Sequence, residues 1–287
     1  RTTTTGSYNT AVGKNALYAN TTGAGNTAVG DVASYSNTTG ISNVAVGRNS
    51  LNANSTGNNN TAIGRNALSA NTVSGNTAVG LSALGANTTG INNVAVGLAS
   101  NDSNTTGGNN TSTGYYSLSA NTTASYNTAY GSESLYSNTT GANNTATGYQ
   151  SLYSNTTGTQ NVALGKDSMK ATTTGSYNTA TGMEVMFTNT TGEGNTAYSR
   201  RALYSNTTGS RNVALGYSSL YNNTTAYENT AVGYHSLYSN TTGNKNTALG
   251  MYAGDNITTG SSNIIIGAEV DAPSATASNQ LNIGGWI

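Results

Sequence analysis

The chain has 287 residues, of which only 7% are charged, and its ten basic and ten acidic side chains cancel. Such a composition offers no cationic surface for nucleic acid or anionic lipid. The absence of cysteine excludes disulfides and thiolate metal sites. The sequence contains no run of about 18 apolar residues, so it predicts no membrane-spanning helix. Recurring Ala, Val and Leu nevertheless supply apolar rows, so an ordered structure is expected.

A pentapeptide, first written Asn-Thr-Ala-Val-Gly at residues 9–13, recurs every 17 residues along nearly the whole chain. A single step, from Asn60 to Asn76, is one residue shorter. A fixed short period predicts one small structural unit that is stacked many times. We number each 17-residue coil from its Asn and expect these side chains to form a hydrogen-bonded ladder. The asparagines are Asn9, Asn26, Asn43, Asn60, Asn76, Asn93, Asn110, Asn127, Asn144, Asn161, Asn178, Asn195, Asn212, Asn229, Asn246 and Asn263.

Positions 2 to 5 of the coil indicate a short strand that ends in a bend. Position 2 is Thr, Val or Ile and position 4 is mostly Val, Ile or Leu, and residues two apart share one face of a strand. Position 3 is Ala in fourteen of sixteen coils, which indicates a close contact on the other face. Position 5 is Gly except at Ser199, where we predict a locally altered bend.

Positions 6 and 7 collect most of the charged residues and are expected to face water. Position 9 is usually Leu or Met and forms a second apolar row. Position 10 is often aromatic, and Phe187, Tyr204, Tyr221 and Tyr238 occupy it in four consecutive coils. Stacked coils would bring these rings together, so we predict an aromatic ladder.

Positions 12 to 15 read Asn-Thr-Thr-Gly, which predicts a turn because Asn bonds its own backbone and Gly accepts positive φ. The one-residue deletion falls in this turn, within residues 71–75. The same residues fit the N-glycosylation sequon, although turn chemistry explains them without glycans. The candidate glycosylation sites are Asn20, Asn37, Asn138, Asn155, Asn206 and Asn240.

These patterns predict an all-β fold, a parallel β-solenoid or β-roll of about sixteen 17-residue coils, each with two short strands and two turns. With strands about 4.8 Å apart, we expect a rod on the order of 75 to 80 Å long. A thin coil with a small row at position 3 and a large row at position 9 is expected to bury one row and pack the other against copies of itself. Rotational symmetry closes such a contact, which favours a homotrimeric fibre.

Two regions are predicted, a repetitive shaft over residues 1–267 and a capping or transition segment over residues 268–287. The second region contains the only proline, Pro273, and the only tryptophan, Trp286, which is expected to cover the end of the core. Since Arg1 begins partway through a repeat, we expect the chain to be a piece of a longer protein.

The pentapeptide resembles the Ser-Val-Ala-Ile-Gly element of the head domains of trimeric autotransporter adhesins, which implies a left-handed parallel β-roll assembled as a trimer. The longer run Asn-Thr-Ala-Thr-Gly-Tyr-Gln-Ser-Leu-Tyr-Ser-Asn-Thr-Thr-Gly at residues 144–158 is similar to repeats of phage tail-fibre proteins, and this similarity covers residues 3–267. The ending at residues 279–287 is similar to the segment before an endosialidase-type intramolecular chaperone. That similarity implies trimerisation and a processing point near Ile287.

The sequence shows no catalytic constellation, and we expect no enzyme activity, no cofactor and no metal site. His235 is the only histidine and is predicted to be a surface residue, and Glu184 and Glu193 fall in separate turns, whereas a glycosidase needs two carboxylates in one cleft. The turns lack the repeated Asp of calcium-binding solenoids, and the glycine spacing does not match a phosphate loop. An ice-binding face of turn threonines is disfavoured because two adjacent Thr residues would not share a flat face.

We therefore expect a structural fibre shaft that positions an attachment element on a virion or cell surface. Its partner would be itself, in a homotrimer, and the attached element would meet a host surface glycan or receptor. We expect neither nucleic-acid binding nor membrane insertion. Two alternatives stay open: an adhesin that binds host glycans through its exposed rows, and a self-assembling extracellular filament.

Overall fold

The computed structural model describes residues 5–284, which contain seventeen short strands and no helix. The chain divides into two compact units, residues 1–143 and residues 144–287. Every strand covers positions 2 to 4 of its coil. Unit 1 contains β1 (Thr10–Val12), β2 (Thr27–Val29), β3 (Val44–Val46), β4 (Thr61–Ile63), β5 (Thr77–Val79), β6 (Val94–Val96), β7 (Thr111–Thr113) and β8 (Thr128–Tyr130). Unit 2 contains β9 (Thr145–Thr147), β10 (Val162–Leu164), β11 (Thr179–Thr181), β12 (Thr196–Tyr198), β13 (Val213–Leu215), β14 (Thr230–Val232), β15 (Thr247–Leu249), β16 (Ile264–Ile266) and β17 (Leu281–Ile283).

Within each unit, consecutive strands run parallel and pair in register, so that each residue lies opposite its copy in the next coil. Ala11 pairs with Ala28 in unit 1, and Ala163 pairs with Ala180 in unit 2. The one-residue deletion does not disturb this register, because Thr61 still lies opposite Thr77. The prediction of an all-β, parallel β-solenoid with coils of about 17 residues is confirmed.

Within residues 5–284, the second strand expected in each coil is absent, and that part of the prediction is wrong. Positions 6 to 11 form a turn in which positions 7 and 9 have left-handed backbone, as at Asn15 (φ 57°) and Leu17 (φ 49°). Alternate N–H groups of this turn still reach the next coil, since Leu17 N donates to Ala33 O at 3.1 Å. Others bond locally, as Ala16 N does to Gly13 O at 3.5 Å. Because only alternate groups bond across the coils, the segment stacks without becoming extended.

Both apolar rows lie inside the coil of a single chain. Ala28 and Ala45 at position 3 and Leu51 and Leu68 at position 9 have no exposed surface. The expectation that one of these rows packs against copies of the chain is therefore wrong. Their side chains meet each other across the thin coil, because the strand and the turn close around one common interior.

The bend at position 5 differs at Ser199, as predicted. The glycines described at this position between Gly13 and Gly267 have φ between 126° and 141°, whereas Ser199 has φ 94°. The change reaches the next coil, where Gly216 N lies 3.0 Å from Tyr198 O, against 2.8 Å for Gly233 N to Leu215 O. A β-carbon at a corner glycine such as Gly216 would overlap the carbonyl oxygen of Gly233. Glycine is therefore needed both for its φ and for the close approach of the next coil.

Strand pairing in unit 2 extends to β17, which lies within the predicted capping or transition segment at residues 268–287. Strand β17 pairs in parallel with β16, with Ile264 opposite Leu281. Gln280 takes the place of the recurring Asn, and its backbone N–H donates to Asn263 Oδ1 at 2.8 Å. Trp286, the residue expected to cover the end of the core, lies outside the described residues.

Replacing Ser199 with Gly should stabilise the protein by about 1 kcal/mol, because a residue with a β-carbon is strained at this φ. The matched substitution Gly216→Ser should destabilise it by more than about 2 kcal/mol, since the new β-carbon meets a backbone carbonyl. Denaturant unfolding of both variants measures the two effects. Equal stability of wild type, Ser199→Gly and Gly216→Ser would contradict the role given to the corner.

Candidate functional site

The recurring asparagine at position 1 joins each coil to the next through its side-chain amide. Asn26 Oδ1 accepts the backbone N–H of Asn43 at 2.9 Å, and Asn43 Oδ1 accepts that of Asn60 at 3.0 Å. The amide nitrogen bonds within its own coil, where Asn26 Nδ2 donates to Gly40 O of the turn at 2.8 Å. From Asn26 to Asn263 these side chains are at most 1% exposed. The repeated bond thus runs from backbone N–H to side-chain oxygen, with direct amide-to-amide contacts only at some steps.

A second asparagine row, at position 12, forms another buried ladder. Asn104 Nδ2 donates to Asn87 Oδ1 at 2.7 Å and to Gly107 O at 2.9 Å. The turn carbonyl connects the two rows, because Asn93 Nδ2 also donates to Gly107 O, at 2.9 Å. The sequence predicted a turn at this position but not a buried ladder. The signal for it was the stacking itself, which places the residue at position 12 of each coil, usually Asn, on top of its copy.

This second ladder occupies the candidate glycosylation sites. Asn37, Asn138, Asn155, Asn206 and Asn240 have no exposed surface, and Asn20 is half-buried. Their Nδ2 atoms, which would carry a glycan, donate to the carbonyl three residues on, as Asn206 Nδ2 does to Gly209 O at 2.9 Å. A glycan requires that nitrogen at the surface. A glycan at one of the five buried sites would therefore have to replace this hydrogen bond and bring the amide to the surface.

Strand positions 2 and 4 point outward and form a face without charge. On each of the seventeen strands these two positions hold only Thr, Val, Ile, Leu or Tyr. The strands show a buried centre flanked by half-buried or exposed neighbours, as at Val94, Ala95 and Val96. Sequence reasoning placed the contact surface on positions 3 and 9 and missed this one. The signal was present in the lack of any charged side chain at positions 2 and 4.

Aromatic rings at position 10 stack in unit 2, which confirms the predicted ladder there. The ring centroids of Phe187 and Tyr204 lie 5.3 Å apart, those of Tyr204 and Tyr221 5.1 Å, and those of Tyr221 and Tyr238 5.2 Å, with planes within 12° of parallel. Lys170 Nζ lies 5.7 Å from the Phe187 ring centroid and closes that end. Because neighbouring rings cover each other, the faces of Tyr204 and Tyr221 are not open to a ligand.

His235, the only histidine, packs within a cluster of aromatic rings. Its ring lies 4.1 Å from that of Tyr234 and 4.6 Å from that of Tyr238, and Tyr252 meets it edge-on at 5.4 Å. Burial lowers the pKa of His235 below its ordinary value. The half-buried ring makes its contacts with tyrosines, so packing accounts for its position.

Two carboxylates of unit 2, Glu184 and Asp255, lie in contrasting environments. Glu184 is held by Arg201, with Oε2 and Nε 2.6 Å apart. Asp255 instead faces Asp271 at the edge of a cavity of about 300 Å³ that Tyr252 and Glu269 also line. Burial, followed by the hydrogen bond and the charge of Asp271, raises the pKa of Asp255 to about 6. Among residues 5–284, no three His, Asp or Glu side chains are grouped so as to hold a metal ion.

No family model and no curated protein matches the chain. The part of the chain that the structure describes contains no helix with the length and hydropathy to cross a membrane.

Acidification should stabilise the last coil of the described chain. The folded-state pKa of Asp255 is raised from 3.8 to about 6, so its contribution is fully present below about pH 4 and is lost as the pH rises through 6. Amide protection factors in residues 268–284 should therefore fall between about pH 4 and about pH 6 and level off above that range, and Asp255→Asn should remove that dependence. His235 acts with the opposite sign, because a lowered histidine pKa loses stability as the pH falls. Protection that is independent of pH in the wild type would refute the coupling.

Proposed function

We propose that the chain is the shaft of a homotrimeric surface fibre, which holds an attachment element away from a virion or cell. The observation that carries this proposal is the outward strand face at positions 2 and 4. An extended surface without charge, built from β-branched, aliphatic and tyrosine side chains, is typical of an interaction surface in a soluble protein. Identical copies can approach it without electrostatic repulsion.

The size of the outward face supports association of copies. Unit 1 presents two such side chains on each of eight strands, and exposed members such as Val94 and Ile63 have just over a third of their surface accessible. At about 50 Å² for each exposed side chain and about half that for each half-buried one, unit 1 offers on the order of 500 Å² of the roughly 800 Å² that one partner contributes to a stable interface, and unit 2 presents a face of the same kind on nine further strands. Copies related by a rotation axis parallel to the stack would bring equivalent strands together and close the contact.

The internal construction suits a load-bearing spacer. Each coil contacts its neighbours through the strand ladder and two buried amide ladders. Each added coil therefore lengthens the stack through the same contacts. The exposed turn positions between the strands hold mainly Thr and Asn, with single tyrosines and aliphatic residues such as Tyr149 and Ile91 among them. The proposed location is a virion or extracellular surface, in line with the resemblance to phage tail-fibre repeats.

Placing lysine on the outward face should dissociate the trimer without unfolding the coils. In the double variant Val46→Lys, Val96→Lys, buried like charges would meet around the symmetry axis, which costs several kcal/mol. Sedimentation should show the wild type at three times the chain mass of 29.0 kDa and the variant as a monomer with an unchanged circular dichroism spectrum. Thr39→Lys, on an exposed turn, is the control and should leave the mass unchanged. A monomeric wild type would refute the homotrimer.

Removing residues 43–126 deletes five complete coils and joins Ser42 to Asn127 in register. If the chain is a shaft, particles imaged by electron microscopy should shorten by about 24 Å at constant width, because each coil adds one strand spacing of about 4.8 Å. A deletion of residues 43–118, which breaks the period, is the control and should not fold into a fibre. Particles that shrink equally in length and width would argue against the shaft.

A further inference from the structure

Coil positions 16 and 17, which lead into each strand, change character within unit 2. In unit 1 these positions carry no charged residue and hold mainly Asn, Ser, Gly, Ala and Ile. From coil 10 onward they become chemically diverse, with Tyr177, Glu193, Arg211, Tyr227, Glu228 and Lys245. In a solenoid, departures from the repeat that gather on one exposed row indicate a binding surface, because the fold does not require them.

Three consecutive coils form a notch on this row. Tyr177 and Arg211 stand at position 17 on either side of Gly194, and the three residues with Glu193 and Ser210 line a space of about 350 Å³. The nearest heavy atom to a β-carbon built on Gly194 would be Arg211 Cγ, at 3.7 Å, so the space above the glycine is open. Backbone bonds fix the floor, with Gly194 N donating to Ser176 O at 3.1 Å and Arg211 N to Glu193 O at 2.9 Å.

The walls of the notch combine an available ring with a donor and an acceptor. Tyr177 is 62% exposed and has no stacking partner among residues 5–284, unlike the rings of the position 10 ladder. The exposed Glu193 forms no ion pair in that range, and Arg211 Nη1 lies 3.3 Å from Glu228 Oε1. The carboxylate accepts hydrogen bonds and the guanidinium donates them, and their charges cancel.

We propose that this notch binds a neutral pyranose sugar. The C–H groups on one face of the sugar ring would pack on the π face of Tyr177, as polarised C–H groups do on aromatic rings. Glu193 would accept hydrogen bonds from ring hydroxyls, and Arg211 would donate to hydroxyl oxygens. An anionic ligand fits less well, because Glu193 repels it and Glu228 already engages Arg211. This site goes beyond the shaft function and does not depend on it.

The repeat itself supplies variants that test the notch without disturbing the fold. Asn occupies position 17 in other coils with the same left-handed backbone, as at Asn59 (φ 58°) and Asn92 (φ 57°). Tyr177→Asn removes the ring, and Gly194→Asn fills the space. Tyr126→Asn is the matched control, because Tyr126 is also 62% exposed at position 17 but lies outside the notch.

Saturation-transfer NMR with methyl β-D-glucopyranoside and methyl β-D-galactopyranoside measures binding to the intact chain. We expect transfer from tyrosine protons to at least one glycoside, a loss of affinity on the order of tenfold in Tyr177→Asn and Gly194→Asn, and unchanged binding in Tyr126→Asn. Sorbitol, which has the hydroxyls but no ring, should not bind. The proposal is overturned if neither glycoside binds the wild type, if Tyr177→Asn binds as well as the wild type, if Tyr126→Asn weakens binding equally, or if sorbitol binds as well as the glycosides.

Discussion

The rest of the fold depends on one hydrogen bond. The backbone N–H of each asparagine at position 1 donates it to the side-chain oxygen of the asparagine one coil earlier. Each such bond contributes about 1 kcal/mol, and leaving either group buried and unpaired would cost about 1 to 3 kcal/mol. In unit 1 the bond recurs from Asn9 to Asn127. A shift of one residue between coils would break it at every step it affects. The polar ladder therefore fixes the register, while the Ala and Leu rows supply the burial.

The stacking of coils constrains the residue type at some positions of the coil and leaves it variable at others. The amides at positions 1 and 12, the small residue at 3, the corner at 5 and the apolar residue at 9 stack directly on their copies. Positions 6 and 17 are mostly exposed and positions 7, 10 and 16 mostly half-buried, and all five vary, so surface chemistry changes from coil to coil without disturbing the interior. The aromatic ladder from Phe187 to Tyr238 and the notch at Gly194 both arise on such free positions. An almost constant core thus allows one short stretch of the stack to carry binding chemistry.

Much of this fold could be predicted from the sequence, because its period and its strand motif are local. The strand at positions 2 to 4, the glycine corner and the altered bend at Ser199 follow from residue type and spacing. The turn around Leu17 could not be predicted, since a leucine at φ 49° is stabilised by stacking on its copies rather than by its own preference. The burial of the asparagine at coil position 12 could not be predicted either, because its sequon suggested an exposed amide. Burial on both sides of a thin coil depends on how the strand and turn close, which the period alone does not determine.

In the proposed shaft function, the outward strand face of these coils meets identical copies of the chain. That role depends on the coils being held by buried amides, and exchange of the side-chain amide protons tests this directly. By NMR, the Nδ2 protons of ladder residues such as Asn93 and Asn104 should exchange with solvent far more slowly than those of the exposed Asn92. Equally fast exchange at all three would contradict the account, since it would show that the ladders are open to water.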